Sequence, residues 1–388
     1  MIKIVVSYYF LFLPVLLSAQ QSIQTIGELP AGVSETSGLI FYNDRLITHN
    51  DSGNEAKLFE IDTTSLQVVR EVVVSNAQNV DWEDMAQDEF YIYIGDFGNN
   101  LGIRRDLTVY RISKEEYTVS DRVSAEAISF EYEDQEDFSN NGNSDWDAEA
   151  LFVLGDELVI LTKQWLAYGT SAYGIPKTPG EYIARKLDEF PINGLVTGAT
   201  LNPNISELYL TGHSFTLNPF VVRIKGVAHG AIFTTEMERL NLDIGPAQME
   251  GITYMDNDSY FLSSEVFSRT DSPITLESRL FSFNTMSMET GEEISMDDPI
   301  DSEDSPEELL EELLLFKRFG SDMLQYRLAT TESVYGYAIF DTSGRRVQHK
   351  IRPGVPESTI DVSTLKSAIY YLTFYFGNKS STKPFVCP

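Results

Sequence analysis

Ten side chains recur in pairs at the ends of short apolar hairpins: Glu35 with Asp51, Glu83 with Asp96, Glu149 with Lys163, Thr197 with His213, and Glu250 with Glu265. Each pair brackets one pattern of apolar strand, turn and second strand, as in DAEALFVLGDELVILTK and MEGITYMDNDSYFLSSE. In a hairpin the first residue of one strand and the last of the next stand side by side. Five such hairpins around one axis would gather all ten residues at one mouth of a central channel. Crowded carboxylates in a narrow funnel raise one another's pKa, pair with Lys163 and His213, or bind a hard cation. Calcium suits the set because it accepts six to eight oxygens in flexible geometry. The expected ligands are Glu35, Asp51, Glu83, Asp96, Glu149, Glu250 and Glu265. A structural reading stays open beside it, in which each Glu bonds backbone N–H groups of a neighbouring unit and each Asp caps a turn. Asp51-Ser52-Gly53-Asn54 and Asp96-Phe97-Gly98-Asn99 have the composition for such turns.

The elements that must position these residues are strands. A third strand follows most hairpins (KLFEID, DLTVYRI, FVVRI, RLFSF) and a fourth follows some (VVREVVV, AISFEY). Starts at Glu35, Glu83, Glu149, Thr197 and Glu250 fit units of roughly 40 to 50 residues, the size of a four-strand propeller blade. The spacing therefore predicts an all-β fold, a β-propeller with five visible repeats. The longer step before Trp146 leaves room for a sixth, irregular blade. Ser22–Ile26 is expected to pair with the last blade after RLFSF and close the ring, since closure removes free sheet edges.

Catalytic roles fall on the same residues. Glu83 or Glu149 could act as base, with Lys163 or His213 facing a developing oxyanion. No GxSxG, HExxH or phosphate-cradling glycine loop is present. Asp137 to Asp145 spaces oxygen side chains like the start of a calcium loop, but Ala148 stands where the closing glutamate belongs. Trp82, Trp146 and Trp165 lie next to ring positions and suit a binding face as well as a catalytic one.

The rest of the chain divides by composition. Met1–Ala19 has an early lysine, a short apolar core and a small-residue end, and is expected to be a secretory signal peptide. Residues 20–290 are the expected propeller. Residues 291–312 hold eleven acidic residues and no basic one, and read as an acidic linker in which Ser305-Pro306-Glu307-Glu308 could start a short helix. Residues 313–388 reverse the balance, with ten Lys plus Arg against five Asp plus Glu, and are the expected separate C-terminal domain. Cys387 is the only cysteine, so no internal disulfide can form. A formal charge of −31 argues against nucleic acid or anionic lipid as a partner, and stable membrane insertion is not expected.

Two resemblances add to this. YGYAIFDTSGRRVQ followed by STIDVSTLKSAIYYLTFYFGNKSSTKPFV resembles the C-terminal sorting domain of type IX secretion substrates, although Lys317-Arg318-Phe319-Gly320 replaces the family's Pro-Asn-Pro box. The resemblance implies a small β-sandwich for residues 313–388, the type IX machinery as partner, and a secreted or cell-surface location reached through the periplasm. THNDSG, DWEDMA, IGDFGNN, DAEAL and MEGI resemble, in order, a group of secreted propellers that includes proteins with phytase-like esterase activity. Two functions survive: a secreted binding or scaffold module with an extracellular ligand, or a calcium-assisted hydrolase of a phosphoester, ester or lactone.

Overall fold

Runs such as Leu158-Val159-Ile160-Leu161 carry apolar side chains at successive positions, so both faces of their strand must be covered. The computed structural model shows how. It describes residues 23–285, except 141–143, 216, 234–236 and 269–274, and beyond them 292–294, 313–317, 323–328, 336–341, 345–351, 359–366, 368–375 and 380–387. The expected signal peptide and the helix start at Ser305 lie outside the described residues. No helix among the described residues is long and apolar enough to cross a membrane.

Five four-stranded arrays follow one another. The first is Thr36–Tyr42, Arg45–Asn50, Lys57–Ile61 and Val68–Val74; the second is Trp82–Gln87, Tyr91–Asp96, Thr108–Ser113 and Glu126–Tyr132. The third is Asp147–Leu154, Glu157–Lys163, Thr170–Pro176 and Gly180–Phe190, and the fourth is Leu195–Asn202, Glu207–His213, Pro219–Lys225 and Met237–Asn241. The fifth combines Gln248–Tyr254, Ser259–Glu265 and Arg279–Asn284 with the N-terminal strand Gln24–Glu28, which pairs antiparallel to the last of them (Gln24 with Ser282, Glu28 with Arg279). The first strands of the five arrays lie against one another in a closed cycle. The fold is all-β and propeller-like.

Each seam between neighbouring arrays holds its own apolar cluster. Ile47, Val72, Trp82 and Ile94 fill the first seam, Tyr93, Val109, Leu151 and Tyr173 the second, and Val159, Leu161, Leu208 and Phe220 the third. Tyr209, Leu240, Met249 and Leu262 fill the fourth, and Leu39, Phe59, Phe261 and Leu280 the fifth. This accounts for the unbroken apolar runs. The outer edges of the second and third arrays also join, through parallel pairing of Ile128–Tyr132 with Gly180–Ala184. Glu292–Ile294, at the start of the acidic stretch, adds an edge strand beside Met237–Arg239.

All five innermost strands carry a register irregularity near their start, leaving out Gly38, Glu83 with Asp84, Glu149, Thr197 and Glu250. A bulge there turns one side chain out of the pleat toward the channel. Close approach across the channel needs small residues. A Cβ on Gly251 would come 2.8 Å from Leu39 Cβ, and one on Gly38, whose φ is +62°, would meet Asp84 Cα at 2.9 Å.

The C-terminal segment forms two antiparallel sheets, one of Leu313–Lys317, Met323–Leu328 and Thr359–Asp361, the other of Arg346–Ile351, Gly336–Asp341, Ala368–Tyr375 and Ser380–Cys387. They share a core that includes Leu324, Ile339, Ile360, Leu372 and Phe374.

Removing residues 20–29 strips the closing strand from the fifth array. Losing one strand's backbone pairing should lower the melting temperature by at least a few degrees. An unchanged melt would show that the ring holds without this strand.

Candidate metal centre and acidic mouth

The bulged residues and the starts of the innermost strands meet at one end of the channel. Glu83, Glu149 and Glu250 are buried there, 5%, 3% and 4% exposed. Oxygens of Asp51, Asp81 and Glu83 lie within 4.8 Å of one another, and so do those of Glu83, Asp147 and Glu149. Glu83 belongs to both groups. No hydrogen-bond donor among the described residues reaches its carboxylate, whereas its neighbours are held. Asn99 N donates to Asp147 Oδ1 at 2.7 Å, Trp165 Nε1 to Asp147 Oδ2 at 2.7 Å, and Lys163 Nζ to Glu149 Oε1 at 2.9 Å. Gly98 makes the space, because a Cβ there would run into Glu83 Oε1 and Asp81 Oδ2.

The electrostatics follow from burial and crowding. Burial raises Glu83 well above the ordinary range, and Glu149, Asp51, Asp81 and Asp147 add to it. Burial likewise raises Asp81 to about 7, reinforced by Asp51 and Asp147. Glu250 is pushed by burial to about 7 even though Lys163 pulls the other way. Glu149, Asp51, Asp147 and Glu265 are all raised by burial. For Lys163, burial alone would lower the pKa, but Glu149, Glu250, Asp147 and Glu83 outweigh it and keep the ammonium charged. Its Nζ also sits 4.8 Å over the Trp165 ring.

His213 and His49 share one arrangement. Each Nδ1 lies against the carbonyl of the next residue, Ser214 at 2.9 Å and Asn50 at 3.1 Å. Since a carbonyl only accepts, Nδ1 carries the hydrogen and Nε2 presents a bare lone pair. Among the described residues neither Nε2 has a hydrogen-bond partner. Burial lowers both pKa values to about 4, with the Lys163 charge adding to the shift at His213, so both rings are neutral at pH 7. A Cβ at Gly38 would meet His49 Nε2 at 2.9 Å, so the first array, one of two whose bulge carries no acid, places an imidazole nitrogen beside that position.

The expected residues are thus divided. Asp51, Glu83, Glu149, Lys163, Glu250 and Glu265 act on one another electrostatically in the mouth. Glu35 is exposed and accepts a hydrogen bond from Asn54 Nδ2 at 2.7 Å, and its charge reaches Asp51 and Glu265 from the rim; the residue at the bulge of its array is Gly38. Asp96 is buried but paired with Arg104 at 2.9 Å, and it accepts the Asp81 N–H at 3.1 Å. Thr197 donates to the Met249 carbonyl of the next array. In the loop expected to resemble a calcium site, Asp145 accepts the Leu166 and Ala167 N–H groups. Asp81 and Asp147 are additions. Each stands two residues before a bulged glutamate, in DWE and DAE, and that repeated spacing is the signal that would have found them.

Residues 321–387 match the family described as the secretion system C-terminal sorting domain. The sorting domain marks the chain for type IX secretion or cell-surface export. No curated protein matches the chain. Among solved structures, the PQQ-bound aldose sugar dehydrogenase from Streptomyces coelicolor is similar at 10% identity and TM-score 0.42, over 68% of this chain and 98% of that one. A luciferin-regenerating enzyme is similar at 9% identity and TM-score 0.39, over 68% and 95%. The hydrazine synthase of Kuenenia stuttgartiensis is similar at 12% identity and TM-score 0.36, over 88% and 76%.

Carboxylates with raised folded-state pKa values make stability depend on pH. Unfolded Asp and Glu titrate near pH 4, whereas Asp81 and Glu250 titrate at about 7 in the fold. Across that window the folded chain binds more protons than the unfolded one, so stability falls as pH rises. In chelator, the protein should melt a few degrees higher near pH 5 than at about pH 7.5. A melting temperature that rises across the range would overturn this account of the mouth.

Proposed function

We propose that the chain is an exported five-bladed β-propeller, followed by a sorting β-sandwich, whose acidic mouth binds a divalent cation of the calcium class and presents it to an anionic extracellular ligand. The observation that carries this reading is Glu83: a buried carboxylate with no donor, shared by two groups of three carboxylates. Seven acids, Asp51, Asp81, Glu83, Asp147, Glu149, Glu250 and Glu265, surround one ammonium, Lys163. Such a set must hold protons or a cation at neutral pH, because like charges in a poorly solvated funnel cannot all ionise. Oxygen ligands at this density match calcium better than zinc, which takes four ligands and favours nitrogen and sulfur. The cation would sit between Asp51, Asp81 and Glu83, or between Glu83, Asp147 and Glu149. Gly98 keeps the first group open.

A second reading, metal-assisted hydrolysis of a phosphoester, ester or lactone, is favoured by the Lys163–Glu149 pair and the neutral His213. A bound cation would polarise a substrate oxygen and acidify a water. Glu149 could then take a proton while Lys163 faces the developing negative charge. With the cation between Asp51, Asp81 and Glu83, activity on such esters that is lost in Glu149→Gln while cation binding is retained would establish it.

Two outcomes test the main reading. Calcium at a free concentration 100 times its dissociation constant should stabilise the protein by about 2.7 kcal/mol, and Glu83→Gln should abolish the gain while changing the metal-free melt much less. A wild-type melt insensitive to calcium would remove the cation site. Separately, a chain truncated after Glu312 should accumulate folded in the periplasm. Its appearance outside the cell at the full-length level would give the C-terminal domain another task.

A further inference from the structure

The innermost strands run from the acidic mouth to a cavity of about 620 Å³ at the other end of the channel. Its lining includes Met85, Leu151 and Ala199 and mixes polar with apolar surface, with Phe41, Leu201 and Tyr254 among the apolar side chains. The charged groups Asp88, Lys114 and Lys177 meet beside Gln87, while Thr200, Ser206 and Thr253 add hydroxyls elsewhere in the lining. Asp88 is fully engaged: Oδ1 accepts the Phe90 and Tyr91 N–H groups at 2.9 Å each, and Oδ2 accepts Tyr93 Oη at 2.9 Å and Lys177 Nζ at 3.0 Å. Lys177 is therefore neutralised.

Lys114 is not. Its Nζ donates to Gln87 Oε1 at 2.8 Å and to the Asp88 carbonyl at 2.7 Å, both neutral oxygens, and lies 4.3 Å over the Tyr42 ring. No carboxylate among the described residues lies within 4 Å of it, and the remaining acid at the cavity, Glu89, is exposed to solvent. Burial lowers the Lys114 pKa to about 8, with Asp88 only partly offsetting it. A half-buried cation supplied with neutral acceptors, beside a cavity with an apolar stretch at Phe41, Leu201 and Tyr254, is a site for an incoming anion that carries its own apolar body.

We propose that this end of the channel binds a small carboxylate with an aliphatic tail, the carboxylate on Lys114 and the tail along Phe41, Leu201 and Tyr254. The site is separate from the acidic mouth and does not depend on the cation reading. The probe is decanoate, titrated calorimetrically into the full chain below its aggregation concentration, with decanol as the uncharged control. Wild type should bind decanoate, and Lys114→Met should weaken it by about tenfold or more, the scale of one lost charge-assisted contact. Lys114→Arg should restore most of the affinity, and decanol should bind both chains alike. Glu83→Gln should leave decanoate binding unchanged. Absence of decanoate binding to the wild type, or equal affinity in folded Lys114→Met, would overturn the proposal.

Discussion

One carboxylate divides the channel. Asp84, fully buried, accepts the backbone N–H groups of Met85 and Leu151 at 2.7 and 2.8 Å, and of Ala199 at 3.2 Å. Its acceptors thereby tie together the innermost strands of the second, third and fourth arrays. Burial pushes its pKa well above the ordinary range, the three N–H donors partly opposing the shift, and removing such a hub would leave three buried N–H groups unpaired at about 1 to 3 kcal/mol each. Smaller pins continue the ring: Ser37 Oγ donates to the Glu83 carbonyl, and Thr197 Oγ1 to that of Met249. The apolar seams supply most of the energy of folding. The polar pins fix the register in which the bulged acids face the channel.

On either side of Asp84 the two ends of the channel differ in chemistry. One end concentrates negative charge at low dielectric and holds a single ammonium. The other has a mixed polar and apolar lining and holds two ammoniums, Lys177 paired with Asp88 and Lys114 bonded to neutral oxygens. The formal charge of −31 describes neither end.

Much of this was legible in the chain. Hairpin lengths located the arrays, and the burial of strands on both faces explains why runs such as YIYIGD show little alternation. The closing strand lies where Ser22–Ile26 was expected, though it begins at Gln24. Glu35 was aligned with Glu83, Glu149 and Glu250 because an acid opens each hairpin, but the bulge that aims a side chain inward falls at Gly38, three residues later. Bulge position depends on pairing register, which one strand does not reveal. Asp96 sits at a strand end as expected, yet Arg104, eight residues on, takes its charge. Asp84 looked like one more acid in DWEDM. Its role rests on N–H groups 67 and 115 residues away, so no local pattern could announce it.

Sharing the fifth array between the first strand and the last sets the order in which the ring can be completed. Gln24 meets Ser282, so that contact cannot form until nearly all of the ring has been made, and it closes the longest loop in the domain. Until then Arg279–Asn284 is an open edge with unpaired N–H and C=O groups along one side. A strand from a second copy would fit the same edge, and the exchange would link two rings into a dimer. The N-terminal strand therefore occupies the edge that a strand of another molecule would otherwise take.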